Sequence, residues 1–433
     1  MIERSKHMKK ILCFLLTLTL IMGAVSAFAA TTIDGMTKRD ITINPAGLND
    51  DAATCVQNGY SPTTGRKLDE IEIPDGFLGL AVTGEYTPFM VQITNADNGI
   101  GITNSGKTYR NAPVNGIYAD VVYEAMQKSN GGESRMSMIF SDTIPDYVGF
   151  VRSTRSTHPR IRQEWNSFFV TSGYSKADVP AEWTAMGVPS PSSSARTEQD
   201  PGIIYVGDYS SKPWAPYLYR IFTQKGVRYA SANTEIFNLT GLLMDVAPKD
   251  HVPANHTWLF TDDLPATGDD ANIIYVRFGQ KNNTDSRLEY NPEANNYIRY
   301  VTTEKSGDLP YCTNVLVNPQ VKKVQGEGRN AKSMGLVIED MVPGEPIGFN
   351  NVIIQGVNMN WRGSERPDPQ LTGTGNADYF MGGKHIAGVW ERTDYNSRTV
   401  FYDESGNEIK LQRGRTLIIL MPYNSDHTSV SYE

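Results

Sequence analysis

Tyr147-Val148-Gly149-Phe150-Val151-Arg152-Ser153-Thr154-Arg155 is an apolar, β-prone run that ends in Ser and Thr. It opens into a segment carrying Arg160 and Arg162 before the first acid, Glu164. Pro159 is tolerated only in the first turn of a helix, which makes Ser156 or Thr157 the expected N-cap. Ile161 and Trp165, four apart, give that helix a stripe to bury. The stretch therefore reads as a strand handing over to a short helix, Thr157–Asn166. Such a junction presents backbone N–H groups without intrahelical partners, and guanidinium groups beside it add planar forks of donors. Arg152 and Arg155 fall in the turn rather than the helix, and with Ser153 they form a candidate anion site. The competing reading is a solvated basic helix face.

Working outward, Pro88–Ile93, Ala119–Met126, Arg135–Phe140 and Ser167–Thr171 read as strands, and Thr234–Met244 as a second short helix. Strands alternating with helices predict an α/β first domain over residues 76–265. Beyond it, short β-prone runs separated by Asn, Asp, Pro and Gly predict a mainly antiparallel β domain over 266–433, with Glu404-Ser405-Gly406-Asn407 as a hairpin turn. A polar, Gly- and Lys-rich stretch near 305–350 reads as a long insertion in that domain. Residues 31–75 are polar and turn-rich, and read as an extended N-terminal arm. No internal repeat of fixed period is present.

Residues 1–30 read as a signal peptide with an upstream extension. Lys9-Lys10 precede the apolar run Ile11–Met22, and Ala27-Phe28-Ala29 gives a small-x-small cleavage pattern. Export is the expectation, and no stretch approaches the roughly 20 apolar residues of a membrane span. With 433 residues, 39% of them hydrophobic, the chain can bury two ordinary cores. The leader is basic, so its loss moves the formal charge from −8 to about −11. That balance argues against nucleic acid as a partner and leaves room for a local basic pocket. Cys55 and Cys312 remain after the leader, either as a disulfide or as two thiols; with no Cys/His cluster, no metal and no cofactor are expected.

A second candidate lies in the hairpin from Val121–Met126 to Arg135–Met138. Pairing symmetric about Asn130-Gly131 sets Glu124 opposite Ser137 and makes Glu124 and Arg135 diagonal neighbours on one face. They then form either a structural ion pair or a carboxylate tuned by burial and by the arginine. Asp120 and Glu124 stand some 13 Å apart along a strand, too far for a glycosidase pair. Gly101-Ile102-Thr103-Asn104-Ser105-Gly106-Lys107-Thr108 spells a phosphate-loop pattern, but Pro113 and Gly116 follow too soon for the helix such a loop needs, and the reading is rejected. His158, His251, His256, His385 and His427 show no ligand spacing and read as surface or satisfied residues. The cluster Trp214–Tyr219 reads as packing in preference to sugar stacking.

Ala119–Glu124, Arg135, Gly149–Arg155 and Ser172-Gly173 together resemble the N-terminal domain of the YerB-like lipoproteins of Gram-positive bacteria. Tyr297-Ile298-Arg299, Asn351–Gln355, Gly373-Thr374-Gly375, Phe401–Ile409 and Arg413–Thr416 resemble that family's C-terminal domain. The resemblance spans Pro88 to Pro422. It implies an envelope-associated protein of unknown function, with recurrent positions matching Glu124, Arg135, Arg152, Ser153 and Arg155. The cysteine that a lipoprotein carries behind its leader is not at that position here, where Ala29-Ala30 stand. The leading expectation is an extracytoplasmic protein that holds an anionic cell-wall ligand through Arg135, Arg152, Ser153 and Arg155. The rivals are a wall-glycan enzyme using Glu124 as general acid/base, and a module that binds another envelope protein.

Overall fold

The computed structural model describes residues 30–44, 51–96, 102–104, 107–109, 113–127, 133–175, 179–185, 203–206, 215–223, 235–247, 249–278, 285–303, 307–310, 312–317, 320–323, 334–338, 340–362, 366–423 and 428–433. The leader, Trp214 and the Asn130-Gly131 turn lie outside them.

A long mixed sheet runs through both halves of the chain. Its spatial order is Asp269–Asp270, Lys384–Arg392, Gly373–Met381, Asn351–Val357, Thr416–Pro422, Val121–Met126, Glu133–Phe140, Phe89–Ala96, Phe168–Ser172 and Ile203–Val206. Thr416–Pro422 lies parallel to both Val121–Met126 and Asn351–Val357, so the two halves are joined by an unbroken ladder. Strands at the centre of this sheet are buried on both faces, which is why Val121–Met126 and Thr416–Pro422 read as continuous apolar runs. Their side chains alternate between two cores. Val122, Met126, Val352, Ile354, Leu417 and Ile419 feed one. Val121, Tyr123, Ala125, Ile353, Ile418 and Leu420 feed the other.

The first core is covered by a second, antiparallel sheet ordered Thr31–Thr32, Thr428–Tyr432, Ile273–Phe278, Ser286–Asn291, Asn296–Thr303 and Gly307–Pro310. Ile274, Val276 and Phe278 point inward from it while Tyr275 and Arg277 face outward, the alternation of a sheet wet on one side. The second core is covered by the helix Thr157–Trp165, which contributes Ile161 and Trp165, and by Val179–Ala185. Asn166 ends the first of these helices in a left-handed conformation, φ 41°.

Strands dominate throughout, and no described helix exceeds nine residues. The α/β character expected of the first half is not what organises it: Phe89–Ala96 pairs antiparallel with Glu133–Phe140 and parallel with Phe168–Ser172, giving a mixed sheet with few helices. In the segment read as the helix Thr234–Met244, the described residues form a strand, Glu235–Asn238, and then the helix Leu239–Asp245, whose N-cap Asn238 accepts from the Gly241 N–H at 2.6 Å. The stretch near 305–350 is strand-rich; Met334–Ile338 within it pairs parallel with Leu218–Thr223 of the first half. Within the phosphate-loop pattern, Ile102–Asn104 pairs antiparallel with Lys107–Tyr109, so its described residues are strands. The Glu404–Asn407 turn is present, with Gly406 at φ 77°. Among the described residues no helix is long and apolar enough to cross a membrane, and no metal-holding cluster of His, Cys, Asp and Glu occurs. Cys55 and Cys312 are not joined.

The arm grips both halves. Thr31–Thr32 pairs with the last strand, Arg39 reaches Asp378 at 2.6 Å, and the loop Ser61–Gly65 is buried against Asp120 and Asp142.

Candidate functional site

Observed register separates the two groups that symmetric pairing sets side by side. Glu124 faces Met136, and Arg135 faces Ala125 and Thr94. The pairing is offset by one residue from the expected one, and a one-residue offset moves a side chain to the opposite face of a sheet. The expected Glu124–Arg135 diagonal pair is therefore corrected.

Glu124 lies on the first core's side with no exposed surface. Its Oε1 accepts from Ser134 Oγ at 2.5 Å and Asn95 Nδ2 at 2.8 Å, and Nη2 of Arg299 donates to both carboxylate oxygens at 3.0 Å. Arg299 comes from the second sheet and is equally buried. A carboxylate saturated in this way anchors one layer to another and has no open face for a ligand.

Arg135 projects to the other side, where the helix Thr157–Trp165 packs, and its Nη1 donates to the Ser153 carbonyl. There it meets the turn that the sequence singled out. The Arg152 N–H donates to Gln92 O at 2.7 Å, and the Thr154 N–H to Gly173 O at 2.9 Å, so the turn is stitched to the sheet edge. Gly173 has φ 77°, and a Cβ there would stand 3.0 Å from Ser153 Oγ, a close approach that favours glycine. Arg152, Ser153 and Arg155 are half-buried, while Arg135 is 4% exposed. The second half of the chain closes over the junction: Ser156 Oγ donates to Pro367 O at 2.7 Å and Arg366 Nη1 to Ser175 Oγ at 3.2 Å.

The helix face is not solvated. Arg160 pairs with Glu182 at 2.8 Å and Asp368 at 2.7 Å, and Arg162 donates to Ser167 O at 3.0 Å. Those two arginines hold the helix in place; Arg135, bonded to the Ser153 carbonyl, and Arg155, whose N–H meets His158, carry charge beside the ring in its first turn.

His158, read from sequence as a surface or satisfied residue, is fully buried in the first turn. Its Nδ1 accepts the Arg155 N–H at 2.9 Å, which leaves the ring hydrogen on Nε2. Burial, with the charges of Arg135 and Arg155 added, holds His158 well below the ordinary imidazole range, so it is neutral near pH 7. Nε2–H finds no acceptor among the described residues, nor does the buried Thr157 Oγ1 find a partner. A buried donor left unmatched costs about 1–3 kcal/mol. Nothing in the spacing of the histidines marks His158; its place two residues into a helix that follows an arginine-bearing turn was the available signal. In the Trp214–Tyr219 cluster, Tyr217 donates to Asp245 and Tyr219 packs edge-on to Tyr147, a packing role for the described part.

Residues 85–200 match the N-terminal domain, and residues 274–418 the C-terminal domain, of a family described as protein of unknown function (DUF3048). The chain belongs to this YerB-like family. Its fold is similar to the crystal structure of YerB protein from Bacillus subtilis, at 17% identity and a TM-score of 0.54, over 86% of this chain and 99% of that one. No curated protein matches the chain.

Proposed function

We propose that the protein is an exported, envelope-associated binding protein in which Arg135, Arg152, Ser153, Arg155 and His158 hold an anionic group of a cell-wall polymer. The observation that carries the reading is the unmatched Nε2–H of His158, buried beside the arginine turn at a helix N-terminus. A neutral imidazole donor without an acceptor, two half-buried guanidinium groups and a helix end all favour the same guest, a carboxylate or phosphate oxygen. The export half of the proposal rests on the leader read from residues 1–30.

Glu124 is the weaker support for an enzymatic alternative, because its carboxylate is enclosed and bonded to Arg299, Asn95 and Ser134. The test is retention on purified wall material as salt is raised. Wild type should be retained and released by salt; Arg155→Ala should bind about tenfold more weakly with a shallower salt dependence, as expected for loss of one charge-assisted contact. Equal retention of both proteins would count against the reading.

A further inference from the structure

A second recess, separate from the arginine turn, lies where the buried Ser61–Gly65 loop and the exposed Arg66 meet the start of the Val121–Met126 strand and the Arg413–Arg415 turn. It is an open cleft of about 710 Å³, within the size range of small-ligand sites. Asp120 and Asp142 line it, and each is almost fully enclosed. The Asp142 oxygens accept from Ser61 Oγ and Thr64 Oγ1, both at 2.5 Å. Asp120 concentrates its bonds on one oxygen: Oδ2 accepts the Ser141 N–H at 2.6 Å, the Ser141 hydroxyl at 2.8 Å and the Asp142 N–H at 3.0 Å. Asp120 Oδ1 takes none of these bonds, and the residue is 3% exposed. Asn296 also lines the cleft, and its buried Oδ1 has no donor among the described residues.

Asn296 Oδ1 calls for a donor from a guest, which disfavours an anion there. Charge narrows the choice further. Burial raises both carboxyl groups, for Asp120 with the neighbouring Asp142 charge adding to it, so the pair tends to keep a proton. Apart from that pair, Arg66, Arg413 and Arg415 are balanced by Glu70, Glu72 and Asp262 around the lining, and the guanidinium groups disfavour a cationic guest. A neutral molecule carrying several hydroxyls satisfies these conditions, since each hydroxyl both donates and accepts.

We propose that this cleft binds a neutral saccharide, with Asn296 Oδ1 accepting from one of its hydroxyls, the Asp120 carboxyl exchanging a hydrogen bond with another and the arginines on the rim donating to its oxygens.

The test is calorimetric titration of the full chain with a neutral N-acetylglucosamine trisaccharide, an oligogalacturonate and inorganic phosphate. Saturable binding of the trisaccharide should weaken about tenfold in Asp120→Ala and remain unchanged in Arg155→Ala, because a lost buried hydrogen bond is worth roughly that factor. Arg66→Ala, on the exposed rim, is the second variant should Asp120→Ala fail to fold, and it should weaken binding about threefold. Absence of saturable trisaccharide binding to wild type would overturn the proposal. So would preference for the oligogalacturonate, or unaltered affinity in whichever of Asp120→Ala and Arg66→Ala folds.

Discussion

Nη2 of Arg299 lies 3.0 Å from both carboxylate oxygens of Glu124, and neither side chain has exposed surface. One residue comes from the sheet that runs through both halves and the other from the sheet that covers its first core. The pair, with Asn95 and Ser134 beside it, is a buried tie between the two layers. Removing one partner of such a pair costs about 3–5 kcal/mol, because a lone buried charge remains, whereas replacing both with apolar groups is often near neutral. Arg299→Met should therefore destabilise the fold by that amount, and Glu124→Leu/Arg299→Met should recover most of it in urea denaturation. A double variant as unstable as the sum of the single ones would show that the two groups act independently.

Arg39 plays a comparable part for the N-terminal arm. Its Nη2 meets the fully buried Asp378 at 2.6 Å, and its Nη1 donates to the carbonyls of Ala377 and Gly388 at 2.7 and 2.9 Å. Arg39→Ala is expected to cost about 2 kcal/mol, less than a fully enclosed pair because His385 also reaches Asp378, at 2.8 Å. A loss below about 0.5 kcal/mol would mean that the arm does not clamp the sheet at this point.

His256 gives a pH signature. Burial against Trp165, with the positive charges of Arg398 and Arg392 added, pushes its pKa down from 6.5 to about 3. A depressed folded-state pKa means that stability is fully present above the unfolded value of 6.5 and declines as pH falls toward 3. The slope is about 1.4 kcal/mol per unit in that window. His256→Asn should remove that slope, so the stability gap between wild type and variant should shrink steadily from pH 6.5 to 4. A constant gap would place the ring in a solvated setting.

The turn at Arg152–Arg155 and the short helix after it were legible because proline, the N-cap position and the Ile161–Trp165 spacing are local signals. The phosphate-loop pattern was rejected on the same local grounds. Register was not legible, since it depends on how Val121–Met126 and Glu133–Phe140 are offset through their connection, and an offset of one residue carries Arg135 to the far face. Pairings such as Leu218–Thr223 with Met334–Ile338, or Thr31–Thr32 with Thr428–Tyr432, join residues far apart in the chain and leave no local trace. For the same reason Arg299 could not be named as the partner of Glu124. His158 was passed over because a lone histidine carries meaning only through what packs around it.

The anion site is tested most directly by following the His158 ring resonances of the full chain during titration with inorganic phosphate, for wild type and Arg155→Ala at low and high salt. The expected result is a saturable shift of His158 Nε2 in wild type that needs about tenfold more phosphate in Arg155→Ala and fades as salt rises. A His158 resonance that stays fixed across the titration, or that moves identically in both proteins, would contradict an anion held at this turn.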